Sequence, residues 1–156
     1  MTEGEKTRLV AWSQELRSVH ARLRKALRIA QDAAAEGGSV ETASRDLLLF
    51  CHGFCAALTG HHVAEDRELF PAIAAEHPHL RETLQKLEQD HSMIAHLMGG
   101  LQAAVDSRAA PDELARHLDG VSAIMESHFR YEERQLLTVL ETLALDAEPA
   151  RALGPF

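Results

Sequence analysis

Residues 61–70, His-His-Val-Ala-Glu-Asp-Arg-Glu-Leu-Phe, return in outline at 128–137 as His-Phe-Arg-Tyr-Glu-Glu-Arg-Gln-Leu-Leu. Both copies read His-x-x-x-Glu, then an acid, Arg, a polar residue, Leu and an apolar residue. In an α-helix, positions i and i+4 share a face. His61 with Glu65, and His128 with Glu132, therefore each present an imidazole and a carboxylate to one point in space. Two such points brought together inside a helix bundle make a site for metal ions rather than for one organic group.

The rest of the chain predicts that bundle. Breaks fall at Gly37-Gly38-Ser39, at Glu76-His77-Pro78, between Ser107 and Pro111, and at Glu148-Pro149. Pro111 suits the first position of a helix, with Asp112 and Glu113 in its first turn. The four segments between the breaks carry helical stripes. The first holds Leu9, Trp12, Leu16, Val19, Leu23, Leu27 and Ala30. The second holds Leu47, Phe50, Phe54, Ala57, His61, Glu65 and Leu69, with Gly60 a weak point and Pro71 expected to kink or end the helix near Phe70. The third runs Leu80, Leu84, Leu87, His91, Ile94, Met98, Leu101 and Val105. The fourth runs Leu114, Leu118, Val121, Met125, His128, Glu132, Leu136, Val139 and Leu143. No period-two run marks a strand. Short connections predict an all-α, antiparallel up-down-up-down four-helix bundle. It is expected as a single domain over 1–156, with the bundle at about 8–145 and a short tail at 146–156.

His20 and His91 complete the pattern. The order His, His-x-x-x-Glu, His, His-x-x-x-Glu describes two helix hairpins related by a pseudo-two-fold axis. His20, His61, Glu65, His91, His128 and Glu132 all sit on or beside apolar stripes. Burying an unpaired carboxylate costs several kcal/mol, and a bound cation offsets that cost. A single core histidine is ordinarily satisfied by a hydrogen bond. One on each of four stripes, from ten histidines in 156 residues, is not a chance pattern. Ferritin-like di-iron sites use Glu-x-x-His on two helices plus a Glu from each of two others. Here Glu76-His77-Pro78-His79 straddles a proline, and Glu88-Gln89-Asp90-His91 has no partner copy.

The set His20, His61-x-x-x-Glu65, His91, His128-x-x-x-Glu132, with Glu-Leu-Phe-Pro at 68–71, resembles the haemerythrin-like, or HHE cation-binding, family over about residues 8–145. The resemblance implies two iron ions joined by an oxo or hydroxo bridge. It makes His20, His61, His91 and His128 terminal imidazoles, and Glu65 and Glu132 bridges. Zinc or manganese would suit the same donors. One departure matters. Haemerythrins that carry oxygen place a second His four residues after the His of the third helix, and here that position is Ala95. His96 is rotated from it by roughly 100°. The site then has four His and two Glu, with a position open for water, substrate or a replacement ligand. Candidates to fill it are His62, Glu88 and Tyr131, and Glu133 is an alternative bridge to Glu132.

The remaining histidines read as surface groups: His77 and His79 beside Pro78, and His117 beside Leu118. Cys51 and Cys55 read as small core residues, with a redox pair or a site shared with His52 as the minority reading. The net charge of −8 argues against general binding to nucleic acid or anionic membranes. No apolar stretch approaches ~20 residues, and Met1 to Lys6 lacks the look of a signal peptide, so a cytoplasmic location is expected.

Three functions fit such a site. The first is binding or sensing of oxygen, peroxide or nitric oxide, with a protein partner for any signal. The second is an enzyme, either catalase-like or oxidising a small substrate, with the open position and Tyr131 as its motives. The third, iron storage, lacks the shell or carboxylate path that a store requires. Sequence alone leaves open whether the protein is an enzyme, its oligomeric state and its physiological ligand.

Overall fold

A computed structural model describes residues 10–38 and 40–155. Leu9, Ser39 and the Met1–Lys6 stretch lie outside the described residues. Among those described there is no strand. The elements are α1 (Trp12–Gly37), α2 (Arg45–Ala64), a π-helical turn (Glu65–Leu69), α3 (Phe70–Glu76), a 3₁₀ turn (Pro78–Leu80), α4 (Arg81–Asp106), α5 (Pro111–Leu140) and a short α6 (Pro149–Leu153). The long helices pack into a bundle in which α1 contacts α2 and α5, and α4 contacts the same two.

The stripes explain the packing. Trp12, Leu16, Val19, Leu23, Leu27 and Ala30 are buried on α1, and Leu84, Leu87, Ile94, Met98 and Leu101 on α4. Pro111 opens α5 as expected, while Ser44 caps α2 by accepting from the Leu47 N–H at 3.1 Å. Gly37 lets the end of α1 meet the start of α5, because a Cβ there would stand 2.7 Å from the Pro111 ring.

The second stripe needs correction. Phe50 is 42% exposed, and Cys51 takes its place in the core. The buried line of α2 is Leu47, Cys51, Phe54, Leu58, His61 and Glu65, steps of four and three that skip Phe50 by one residue. Cys51 and Cys55 are free, buried thiols. Burial pushes them up to about 11 and about 12, the latter helped by Cys51. His52 is exposed.

Pro71 does not end the helix. The turn before it widens, with the Phe70 N–H bonded to the Glu65 carbonyl, and helical structure resumes to Glu76. A π turn relieves the missing proline N–H and shifts the phase so that Leu69, Phe70 and Ile73 stay buried. The continuous stretch Arg45–Glu76 is therefore long and apolar enough to cross a membrane by length and composition, which no uninterrupted run of apolar letters had suggested. Core helices share that character, and this one buries one apolar line against its neighbours while Leu49, Phe50 and Val63 stay exposed.

The tail is also built in. α6 packs against α1, α2 and the π turn, with Ala152 and Leu153 wholly buried. The Trp12 indole N–H donates to the Leu145 carbonyl at 3.0 Å.

Candidate metal centre

Seven polar side chains are buried in the middle of the bundle: His20, His61, His62, Glu65, His91, His128 and Glu132. Their potential ligand atoms fall into two groups. His62, Glu65, His91 and His128 form one, and His20, His61 and Glu132 the other. The structure thus brings all six stripe residues together and adds His62. The i,i+4 pairs do what helical geometry dictates. His61 Nε2 is 3.2 Å from Glu65 Oε1, and His128 Nε2 is 3.3 Å from Glu132 Oε2. The lone histidines join across the bundle: His20 Nε2 lies 3.2 Å from Glu132 Oε1, and His91 Nε2 lies 3.4 Å from Glu65 Oε1.

The outward nitrogens carry the sharper information. His20 Nδ1 is 3.0 Å from Glu133 Oε1, and His91 Nδ1 is 2.8 Å from Asp66 Oδ1. His128 Nδ1 is 3.1 Å from Asp90 Oδ2, and His61 Nδ1 is 2.7 Å from the Leu153 carbonyl. Each partner is an acceptor, so each Nδ1–H donates and each Nε2 lone pair points inward. That arrangement of an imidazole fixed by an outer acceptor is how protein sites orient metal-bound histidines. The two acids Asp66 and Glu133 are the residues directly after Glu65 and Glu132 in the repeated motif, and each serves the lone histidine of the opposite hairpin. Their shared place in the two copies was the one sequence signal for this role.

Several of the inward atoms are not satisfied by the protein. His20 Nε2, His62 Nε2 and all four oxygens of Glu65 and Glu132 make no hydrogen bond. His91 Nε2 faces His128 Nε2 at 3.1 Å, which needs a proton or a cation between them. Burial and the charge of Glu132 hold the Glu65 carboxyl well above its usual range. Burial opposes ionisation of Glu132 too, but His128 and His20 outweigh it and pull Glu132 well below. Burial and His20 depress the His61 imidazole to about 3. Buried carboxylates and lone pairs crowded in this way cost free energy unless cations compensate them. Neutral imidazoles and carboxylates are suitable donors for iron, manganese or zinc, so the residues fit metal ions.

The other sequence candidates sit elsewhere. Glu88 is exposed and belongs to neither group. Tyr131 is half-buried, with Lys86 Nζ 4.3 Å over its ring, and also belongs to neither. Glu133 contacts His20 Nδ1 at 3.0 Å and Arg24 at 3.6 Å, and it belongs to neither donor group. Ala95 and His96 are exposed. His79 is exposed as expected, whereas His77 and His117 are half-buried, the latter against Gly100. Phe129 closes the wall beside His20, its ring stacked at 3.8 Å.

A family model described as the hemerythrin HHE cation binding domain matches residues 13–148. No curated protein and no solved structure matches the chain.

Proposed function

Because the chain belongs to the hemerythrin HHE cation-binding family, we propose that it is a non-haem di-iron protein that binds or reacts with oxygen, peroxide or nitric oxide. His20, His61, Glu65, His91, His128 and Glu132 hold the two irons, with Glu65 and Glu132 as bridges. The helices adopt the antiparallel up-down-up-down order as one haemerythrin-like domain, and its pseudo-two-fold axis runs between the two carboxylates.

One observation carries this reading: four inward-facing imidazoles, each fixed through Nδ1 by its own acceptor, surround two buried carboxylates with no hydrogen bond. Such a set is costly without cations and complementary to two of them. Iron there supplies one-electron chemistry and an affinity for oxygen and nitric oxide. The protein's part is to orient the imidazoles through their outer acceptors and to exclude bulk water with Phe54, Phe70 and Phe129. In a cytoplasmic setting, sensing or stress response would pass through a protein partner. An enzymatic role keeps the open position as its motive but not Tyr131, which stands outside both donor groups.

The test is spectroscopic. Iron-loaded protein, reduced and then exposed to oxygen, hydrogen peroxide or nitric oxide, is expected to change its near-ultraviolet and visible absorption with at least one of them. An unchanged spectrum with all three contradicts the reading.

A further inference from the structure

Between α2 and α4 lies a cleft of about 180 Å³ that reaches His62 and His91. A water takes about 30 Å³ in the liquid, so there is space for a few small molecules. Leu58, Val63, Ile94, Ala95 and Met98 provide most of the wall, and Asp66 is its one carboxylate. Ala95 is exposed, and Ala95 and Met98 also border a second, shallower hollow with Gly60 and Gly99. A Cβ at Gly99 would meet nothing within 4 Å, so small residues leave this groove open.

His62 stands at the inner end. It is 6% exposed, and its Nε2 has no hydrogen-bond partner. Its ring is stacked on that of His91, with centroids 3.9 Å apart and planes 12° from parallel. An imidazole binds a cation in its own ring plane, along the nitrogen lone pair. An ion in the plane of His91 therefore stands off the plane of His62 by about a stacking distance. In this arrangement the two rings cannot share an ion, although His62 borders the same group of donors.

We propose that the cleft over Ala95 is the entrance to the centre for a small neutral molecule, and that His62 hydrogen-bonds that molecule there instead of serving as a metal ligand. The inference rests on the iron reading above. Apolar walls suit an uncharged guest, and a bare anion would pay for desolvation beside the Asp66 carboxylate. The absence of a histidine at 95 keeps the passage open, and His62 supplies at its inner end a buried ring nitrogen with no hydrogen-bond partner of its own.

The experiment compares wild type, His62→Leu, His62→Gln and Ala95→Phe for iron per chain and for stopped-flow binding of nitric oxide to the reduced protein. His62→Leu is expected to keep both irons and to release nitric oxide about tenfold faster, the effect of one lost hydrogen bond. His62→Gln, which retains an N–H, is expected to recover most of that. Ala95→Phe, at an exposed position, is expected to keep both irons and the release rate while slowing association about tenfold. Azide, an anion, is expected to enter wild type more slowly than nitric oxide. Loss of iron in His62→Leu would make His62 a ligand and overturn its assignment. An unchanged release rate in that variant would do the same. Unchanged association in Ala95→Phe, or equal entry of azide, would overturn the entrance. Wild type that holds no iron would overturn both this inference and the reading it rests on.

Discussion

His61 Nδ1 donates a 2.7 Å hydrogen bond to the backbone carbonyl of Leu153, 92 residues further along the chain. The opposite hairpin solves the same problem differently. There His128 uses Asp90, the neighbour of the lone histidine His91. The corresponding neighbour of His20 is Val19, which has no acceptor, and the tail carbonyl takes its place. α6 is thus part of the centre's outer shell. Deleting residues 146–156 is predicted to weaken iron binding about 10–100-fold, measured by competition with a chelator. Affinity equal to that of the full chain would mean that the tail is only packing.

The three outer acids make a parallel prediction. Asp66→Ala, Asp90→Ala and Glu133→Ala each free one Nδ1–H and let an imidazole rotate. Each is expected to lower iron affinity about 10–100-fold. Asp119→Ala, which removes only an exposed contact with Gln31, is expected to leave affinity unchanged. Equal behaviour of all four variants would contradict the outer-shell role.

Removing the metal should destabilise the fold, because cations bind the assembled donors and not the unfolded chain. With free metal at about 100 times Kd, each bound ion adds about 2.7 kcal/mol, or roughly 5–10 °C in Tm for a chain of this size. Calorimetry with and without chelator checks it, and equal melting temperatures would argue against a buried site. His61→Ala and Glu132→Ala are expected to lose both the metal and this difference, whereas the exposed His79→Ala keeps them.

The cysteines are expected to be inert in the native state. A thiol raised to about 11 or about 12 by burial stays protonated at pH 8, and only the thiolate attacks a disulfide reagent. Raising the pH from 7 to 9 increases each thiolate fraction about a hundredfold, yet it reaches only about 1% for Cys51 and about 0.1% for Cys55. A thiol-reactive dye is predicted to label neither Cys51 nor Cys55 in native protein and both in guanidinium. Rapid native labelling would place a thiolate where the structure has a buried thiol.

Much of this was legible in the letters because helical period is a strong constraint. His20, His61, Glu65, His91, His128 and Glu132 fall on stripes, and a stripe that turns inward brings its polar residues with it. Phe50 was misplaced because α2 is apolar on several sides, so one step of about 100° separates two equally apolar lines. Asp90 carried no sequence signal, and Glu133 was read as an alternative bridge, since the work of Asp66, Asp90 and Glu133 as acceptors depends on a helix that is distant in sequence. The Leu153 carbonyl belongs to the backbone and leaves no mark in the sequence at all. Pro71 announced a disturbance, but whether a helix ends, kinks or widens is decided by what its next turn can bury, here Leu69, Phe70 and Ile73.

Whether the two inward-facing donor groups hold two irons is decided by metal analysis of the purified wild-type chain. About two irons per chain are expected, accompanied by near-ultraviolet bands of an oxo bridge in air. A single zinc with a featureless spectrum, or no metal after purification from iron-replete cells, would contradict a two-iron centre.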